Sequence, residues 1–214
     1  MAEQYSPLPP PPATRTLQAA DGPLVWIDCE MTGLLETDRI IEIACIVTDG
    51  QLNPLDDGVA YAIRTPKEVL DQMSEWCVKV HGKSGLTANC LDGTISRDHA
   101  DVRAGILAYV RERIPEKRVA CLAGSTVHAD AVFLKRETPE LIDHLHYRIV
   151  DVSSIKELVG RWYGPELKWG SGKGLHRALD DIRGSIDELK FYRQHVFLGP
   201  EECLKRRQEG TTDG

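Results

Sequence analysis

The sequence predicts an α/β fold, a mixed five-stranded sheet whose first three strands are antiparallel, flanked by helices. Three observations predict it. Apolar, β-branched-rich runs at residues 24–27 and 39–48 read as neighbouring strands. The turn signal Asp49-Gly50 leads into an alternating run at 59–64, a third strand returning beside the second. Beyond it, strand-like and helix-like segments alternate, as a sheet with helices on its faces requires.

The elements follow in order. Thr65, Pro66 and Glu68 offer an N-cap, a proline at the first helical position and an acid at N3, and so predict a helical segment up to Gly82. Val102, Ile106, Val110 and Ile114 recur every four residues and stop at Pro115, predicting a core-facing helix over 98–114. Residues 119–122 and 147–152 read as the fourth and fifth strands, with Ser154 and Glu157 spaced as a capping box after the fifth. A last helix is expected from about 175 to 195, its apolar stripe formed by Leu179, Ile182, Ile186 and Leu189.

The chain has 214 residues, 42% hydrophobic and 28% charged, enough for one domain with a packed core and far from the composition of disordered chains. The folded unit is expected over 23–198, between a disordered proline-rich tail at 1–22 and a disordered C-terminal tail at 199–214. No stretch approaches the roughly 18 apolar residues of a bilayer-spanning helix, so no membrane partner is expected. The six cysteines form no C-x-x-C pair and read as reduced thiols. The start lacks both a secretory apolar core and the arginine-rich character of a transit peptide, so the cytoplasm is the expected compartment and the mitochondrion the alternative. Lys and Arg total 26 against 33 Asp and Glu, a net charge of −7, which argues against a broad basic groove for long nucleic acids.

Asp28 and Glu30 alternate with Cys29 at the end of the first strand, so both carboxylates point to one face while Cys29 points to the core. Two carboxylates held so close repel unless a cation lies between them, and oxygen donors suit Mg²⁺ or Mn²⁺. By itself the pair is equally a polar strand end. Asp130 follows the glycine-containing end of the fourth strand, where an acid also suits a helix N-terminus without further purpose. His176 follows Gly172 and Gly174, which place it in an entry loop, and precedes Asp180 and Asp181; spacing does not choose between these two acids.

Taken together, residues 28–34 (Asp-Cys-Glu-Met-Thr-Gly-Leu), 39–44, 146–148, 151–153 and 176–183 closely resemble the oligoribonuclease family, in the DEDDh branch of 3′-to-5′ exonucleases. The resemblance runs from residue 24 to about 197. It implies a ribonuclease H-like fold and 3′-to-5′ hydrolysis of very short RNA to 5′-mononucleotides with two Mg²⁺ or Mn²⁺ ions. It selects Asp181 over Asp180, giving Asp28, Glu30, Asp130 and Asp181 as metal ligands and His176 as general base. It puts Leu34 and Trp76 beside the bases, and Thr126, Tyr147, Arg148 and Ser153 around the 5′ phosphate, the middle pair from the second subunit of a homodimer. Ser125-Thr126 departs from the Asn-Ser of bacterial members, so Thr126 is the expected hydroxyl donor. The net negative charge fits this substrate, since a dinucleotide is held by stacking, about 1–3 kcal/mol per base, more than by phosphate contacts. A related exonuclease acting on longer RNA or DNA ends, or a catalytically silent RNA-binding protein of this fold, are the competing expectations.

Overall fold

The computed structural model describes residues 5–170 and 177–209. Five strands form one sheet in the order β3-β2-β1-β4-β5: β1 (Leu24–Met31), β2 (Ile40–Thr48), β3 (Val59–Ala62), β4 (Cys121–Gly124) and β5 (His146–Asp151). β1, β2 and β3 pair antiparallel, while β4 lies parallel to β1 and β5 parallel to β4. The antiparallel start and the later strand-helix alternation are as expected.

The alternation of β1 divides the core. Val25, Ile27 and Cys29 face one side, where they meet Val102, Ile106 and Val110 of α4 (His99–Arg113) and Phe133 and Leu134 of α5 (Val127–Glu137). Trp26 faces the other, against Ile182, Ile186 and Leu189 of α8 (Ala178–His195) and Val159 of α7 (Val152–Trp162). Asp28 and Glu30 share the parity of Trp26 and so point toward α8. Burying apolar area on both faces, at about 25 cal/mol per Å², fixes the register, because a one-residue slip would drive these acids into the apolar side.

The helical segment after β3 is broken into α1 (Lys67–Leu70), α2 (Glu75–Ser84) and α3 (Leu86–Leu91). Thr65 does not cap it, for its hydroxyl donates back to the Ile63 carbonyl at 2.9 Å. Ser74 instead accepts from the Cys77 amide at the start of α2, and Gly85, at φ 81°, ends that helix in the left-handed conformation that favours glycine. The expected capping box at Ser154 is likewise replaced: α7 begins at Val152, and Asp151 accepts from the Ser153 amide. α6 (Pro139–His144) joins α5 to β5.

Both expected tails depart from disorder within the described residues. The proline-rich segment is extended but packed along the β3 edge. The Ser6 amide donates to the Ala60 carbonyl at 2.9 Å, Tyr61 donates its hydroxyl to the Pro7 carbonyl, Arg113 donates to the Pro11 carbonyl, and Leu17 is buried in the core. Polyproline backbone leaves its carbonyls unpaired, and Tyr61 of β3 and Arg113 of α4 supply donors to two of them. At the other end, residues 200–209 form an exposed helix, α9 (Pro200–Glu209), supported by the Arg206–Glu202 pair one turn apart.

Candidate active site

β1 delivers Asp28 and Glu30, and the first turn of α8 delivers Asp181, to one place where carboxylate oxygens from all three lie within 4.8 Å of one another. Asp130, in the first turn of α5, arrives from the opposite side of β1 and is held there, its Oδ1 accepting from the Cys29 amide at 3.0 Å. One amide of β1 thus holds the fourth acid beside that strand, next to but not within the 4.8 Å group formed by Asp28, Glu30 and Asp181. Asp181 is steadied by the Arg177 amide at 3.1 Å, whereas Asp180 points outward to Arg183. The structure therefore makes between the two aspartates the choice that spacing leaves open. His176 lies outside the described residues.

The electrostatics are those of crowded negative charge. Burial, followed by the charges of Asp130, Glu30 and Asp181, pushes the Asp28 carboxyl well above the usual range. Burial first, then Glu42, Asp181 and Asp130, pushes Glu30 up to about 7. Asp130 is pushed up to about 6, burial outweighing the Cys29 hydrogen bond. Positive charge placed among these groups would favour their ionised forms, and an all-oxygen donor set suits hard divalent ions such as Mg²⁺ or Mn²⁺. The residues present fit such ions.

Sequence spacing missed three supports of this site. Glu42 is buried and lies opposite Glu30 across the β1–β2 ladder, a relation visible only once the register is known. His81 of α2 places Nε2 at 2.9 Å from the Met31 carbonyl and Nδ1 at 3.8 Å from the Glu30 carboxylate, closing the end of β1. Asp151, at the end of β5, gathers the Thr126 amide (2.8 Å), the Ser153 hydroxyl (2.6 Å) and the Ser153 amide on one oxygen, and His128 on the other. Burial works to raise the Asp151 carboxyl, but these donors outweigh it and hold it low. They also pin Thr126 at φ 61°, a strained conformation for a β-branched residue. Thr126 and Ser153 are thereby brought together through Asp151, an acid to which the sequence reading gave no role.

The remaining four expected contacts are exposed side chains. Leu34 and Trp76 stand 76% and 63% exposed, large apolar groups open to solvent near the end of β1 and at the start of α2. Tyr147 and Arg148 lie on β5, the outer strand, with the Arg148 guanidinium 4.9 Å from the Tyr147 ring centre. β5 bulges where His146 is level with Cys121 and Ile149 with Leu122, so Tyr147 and Arg148 lie between the levels of Leu24 and Val25, three to four positions before Asp28. At ~3.3 Å per residue and ~4.8 Å per strand, that is roughly 10–13 Å along the sheet and 10 Å across it. The chain's own Tyr147 and Arg148 are not brought to its acids.

Residues 25–189 match the family model for exonucleases (RNase T type). The chain is 45% identical over 194 residues to the mitochondrial oligoribonuclease of Mus musculus, covering 89% of this chain and 81% of that protein. It is 50% identical over 189 residues to the oligoribonuclease of Streptomyces coelicolor, covering 86% and 92%. Among solved structures, an E. coli exonuclease I–ssDNA complex superposes with a TM-score of 0.61 at 13% identity, over 82% of this chain and 41% of that one. That likeness is one of fold, and the chain spans about two fifths of the exonuclease I length.

Proposed function

The chain belongs to the oligoribonuclease family of exonucleases, and on that premise we propose that it hydrolyses very short RNA oligomers from the 3′ end to 5′-mononucleotides, using two divalent cations. The observation that carries this reading is the convergence of Asp28, Glu30 and Asp181 within 4.8 Å, with Asp130 fixed to the Cys29 amide beside them. These four acids would hold Mg²⁺ or Mn²⁺, which when bound activate the attacking water and stabilise the departing 3′ oxygen.

The chain's own groups do the rest. His176 takes the proton from the attacking water, a role suited to an imidazole that is largely neutral near pH 7. Leu34 and Trp76, exposed as they are, offer stacking faces to the two bases. The Thr126 and Ser153 hydroxyls, fastened through Asp151, meet the terminal phosphate. Tyr147 and Arg148 complete that phosphate pocket from a second copy of the chain. Their separation from the chain's own acids, and the exposure of Tyr147 and Ile149 on the unpaired edge of β5, support this homodimer. A pocket closed at the phosphate end favours dinucleotides and slightly longer oligomers.

The site also belongs to readings with longer substrates, and substrate length separates them. A time course with labelled RNA of two to ten nucleotides, with Mn²⁺ or with chelator, should show the dinucleotide consumed fastest and nothing consumed without metal. Asp28→Ala should abolish turnover while keeping the fold. A preference for the longest oligomers, or unchanged turnover in Asp28→Ala, would overturn the assignment. No helix among the described residues is long and apolar enough to cross a membrane. We place the protein in the cytoplasm, with the mitochondrion, named in several relatives, as the alternative that cell fractionation decides.

A further inference from the structure

The proline-rich segment reaches Glu42, the buried acid opposite Glu30. The Tyr5 hydroxyl donates to Glu42 Oε1 at 2.6 Å and accepts from the Asn89 side-chain amide at 3.3 Å. The other oxygen, Glu42 Oε2, accepts from the Ala178 amide at 3.4 Å, the first residue of α8. Asp181 lies one turn further along that helix. Both oxygens of Glu42 thus have donors, so this buried acid is drawn away from the neighbouring ligands and spent on tethering the helix that carries one of them.

We propose that residues 5–17 form a strap whose Tyr5 positions Glu42, and through it the first turn of α8, so that Asp181 meets Asp28 and Glu30. Tyr5 is a positioning residue and touches no substrate. Three features make the strap firm enough for the task. Ser6 is fastened to the β3 edge at both groups of Ala60, its amide donating to the Ala60 carbonyl and its Oγ accepting from the Ala60 amide. Leu8 packs into the core over Gly105, where an added Cβ would come within 2.3 Å of its Cδ2. Leu17, 1% exposed, anchors the far end, its amide on the Arg113 carbonyl at 2.7 Å. Without the Tyr5 hydroxyl, a buried glutamate facing Glu30 would have one oxygen lacking a donor among several negative neighbours. It would then turn toward a bound cation or let α8 shift; either spoils the ligand geometry.

This inference rests on the divalent-metal reading above, and titration calorimetry of the full chain with Mn²⁺ separates the two. Wild type should bind Mn²⁺; if it does not, the metal reading fails and takes this one with it. Tyr5→Phe keeps the ring and removes only the hydroxyl. It should bind Mn²⁺ about 10-fold more weakly and turn over a dinucleotide at reduced kcat with KM unchanged, beside the modest fall in metal-free unfolding midpoint that one lost buried hydrogen bond entails. A chain beginning at Pro7 should show the same Mn²⁺ defect. Wild-type Mn²⁺ affinity in Tyr5→Phe overturns the proposal, as does a lowered midpoint with affinity intact, which would make the strap a stabilising element and nothing more.

Discussion

Glu30 on β1 and Glu42 on β2 stand directly opposite one another in the antiparallel ladder. Like charges in that position destabilise a sheet, and burial with this pairing pushes Glu30 up to about 7 from an ordinary 4.5. Across that window the folded chain holds more protons than the unfolded one, so the Glu30 contribution to stability is present below about pH 4.5 and is lost as pH rises to about 7. Melting in chelator should show Glu30→Gln gaining on wild type as pH is raised through this range, and added Mn²⁺ should favour wild type instead. Parallel curves for the two proteins would mean that the pair carries no such strain.

Asp181 belongs to the acid cluster, while Asp180 is half-exposed and pairs with Arg183 at 3.1 Å. Asp181→Asn should remove Mn²⁺-dependent mononucleotide release almost completely. Asp180→Asn breaks only a surface pair, worth about 0–1 kcal/mol of stability, and should leave the rate near that of wild type. Equal rate losses would reverse the assignment.

His176→Ala should lower kcat by about 10² to 10⁴ if the imidazole accepts the water proton. The same variant should lose the limb of the rate profile that rises with pH near the imidazole pKa. A profile superimposable on wild type would move the general base elsewhere.

Subunit mixing tests where Arg148 acts. Asp28→Ala and Arg148→Ala chains should each be nearly inactive alone. Mixed, unfolded and refolded together, they should recover about a quarter of wild-type activity, because a twofold heterodimer has one site with intact acids and the partner's intact arginine. Ile149→Lys, on the exposed β5 edge, should sediment as a monomer and lose dinucleotide turnover. A mixture no better than its components would place Arg148 outside any shared site.

Arg113 is 1% exposed and donates to Asp56 at 2.7 Å, to the Tyr109 carbonyl and to the Pro11 carbonyl of the strap. Asp56→Ala would leave that buried guanidinium without its counter-charge and should cost about 3–5 kcal/mol in denaturant unfolding. A loss below about 1 kcal/mol would show that the carbonyls suffice.

Much of this molecule is written in local pattern. The residue types of 24–48, the four-residue spacing from Val102 to Ile114 and the stripe along the last helix determine strands and helices because periodicity alone decides which face is buried. The same alternation put Asp28 and Glu30 on one face with Cys29 behind them, and the structure agrees. Caps were less legible, since Thr65 and Ser154 have the right chemistry but other donors and acceptors compete for their neighbourhood. Only the tertiary structure decided what depends on contacts between distant segments: where Asp181, which spacing could not separate from Asp180, meets the β1 acids; that Glu42 opposes Glu30; that Asp151 ties Thr126 to Ser153. It also turned a presumed loose tail into a strap ending on Glu42. A side chain's face is set by its own strand or helix, but its partner is set by strand order and register, and these arise only when the whole core is packed.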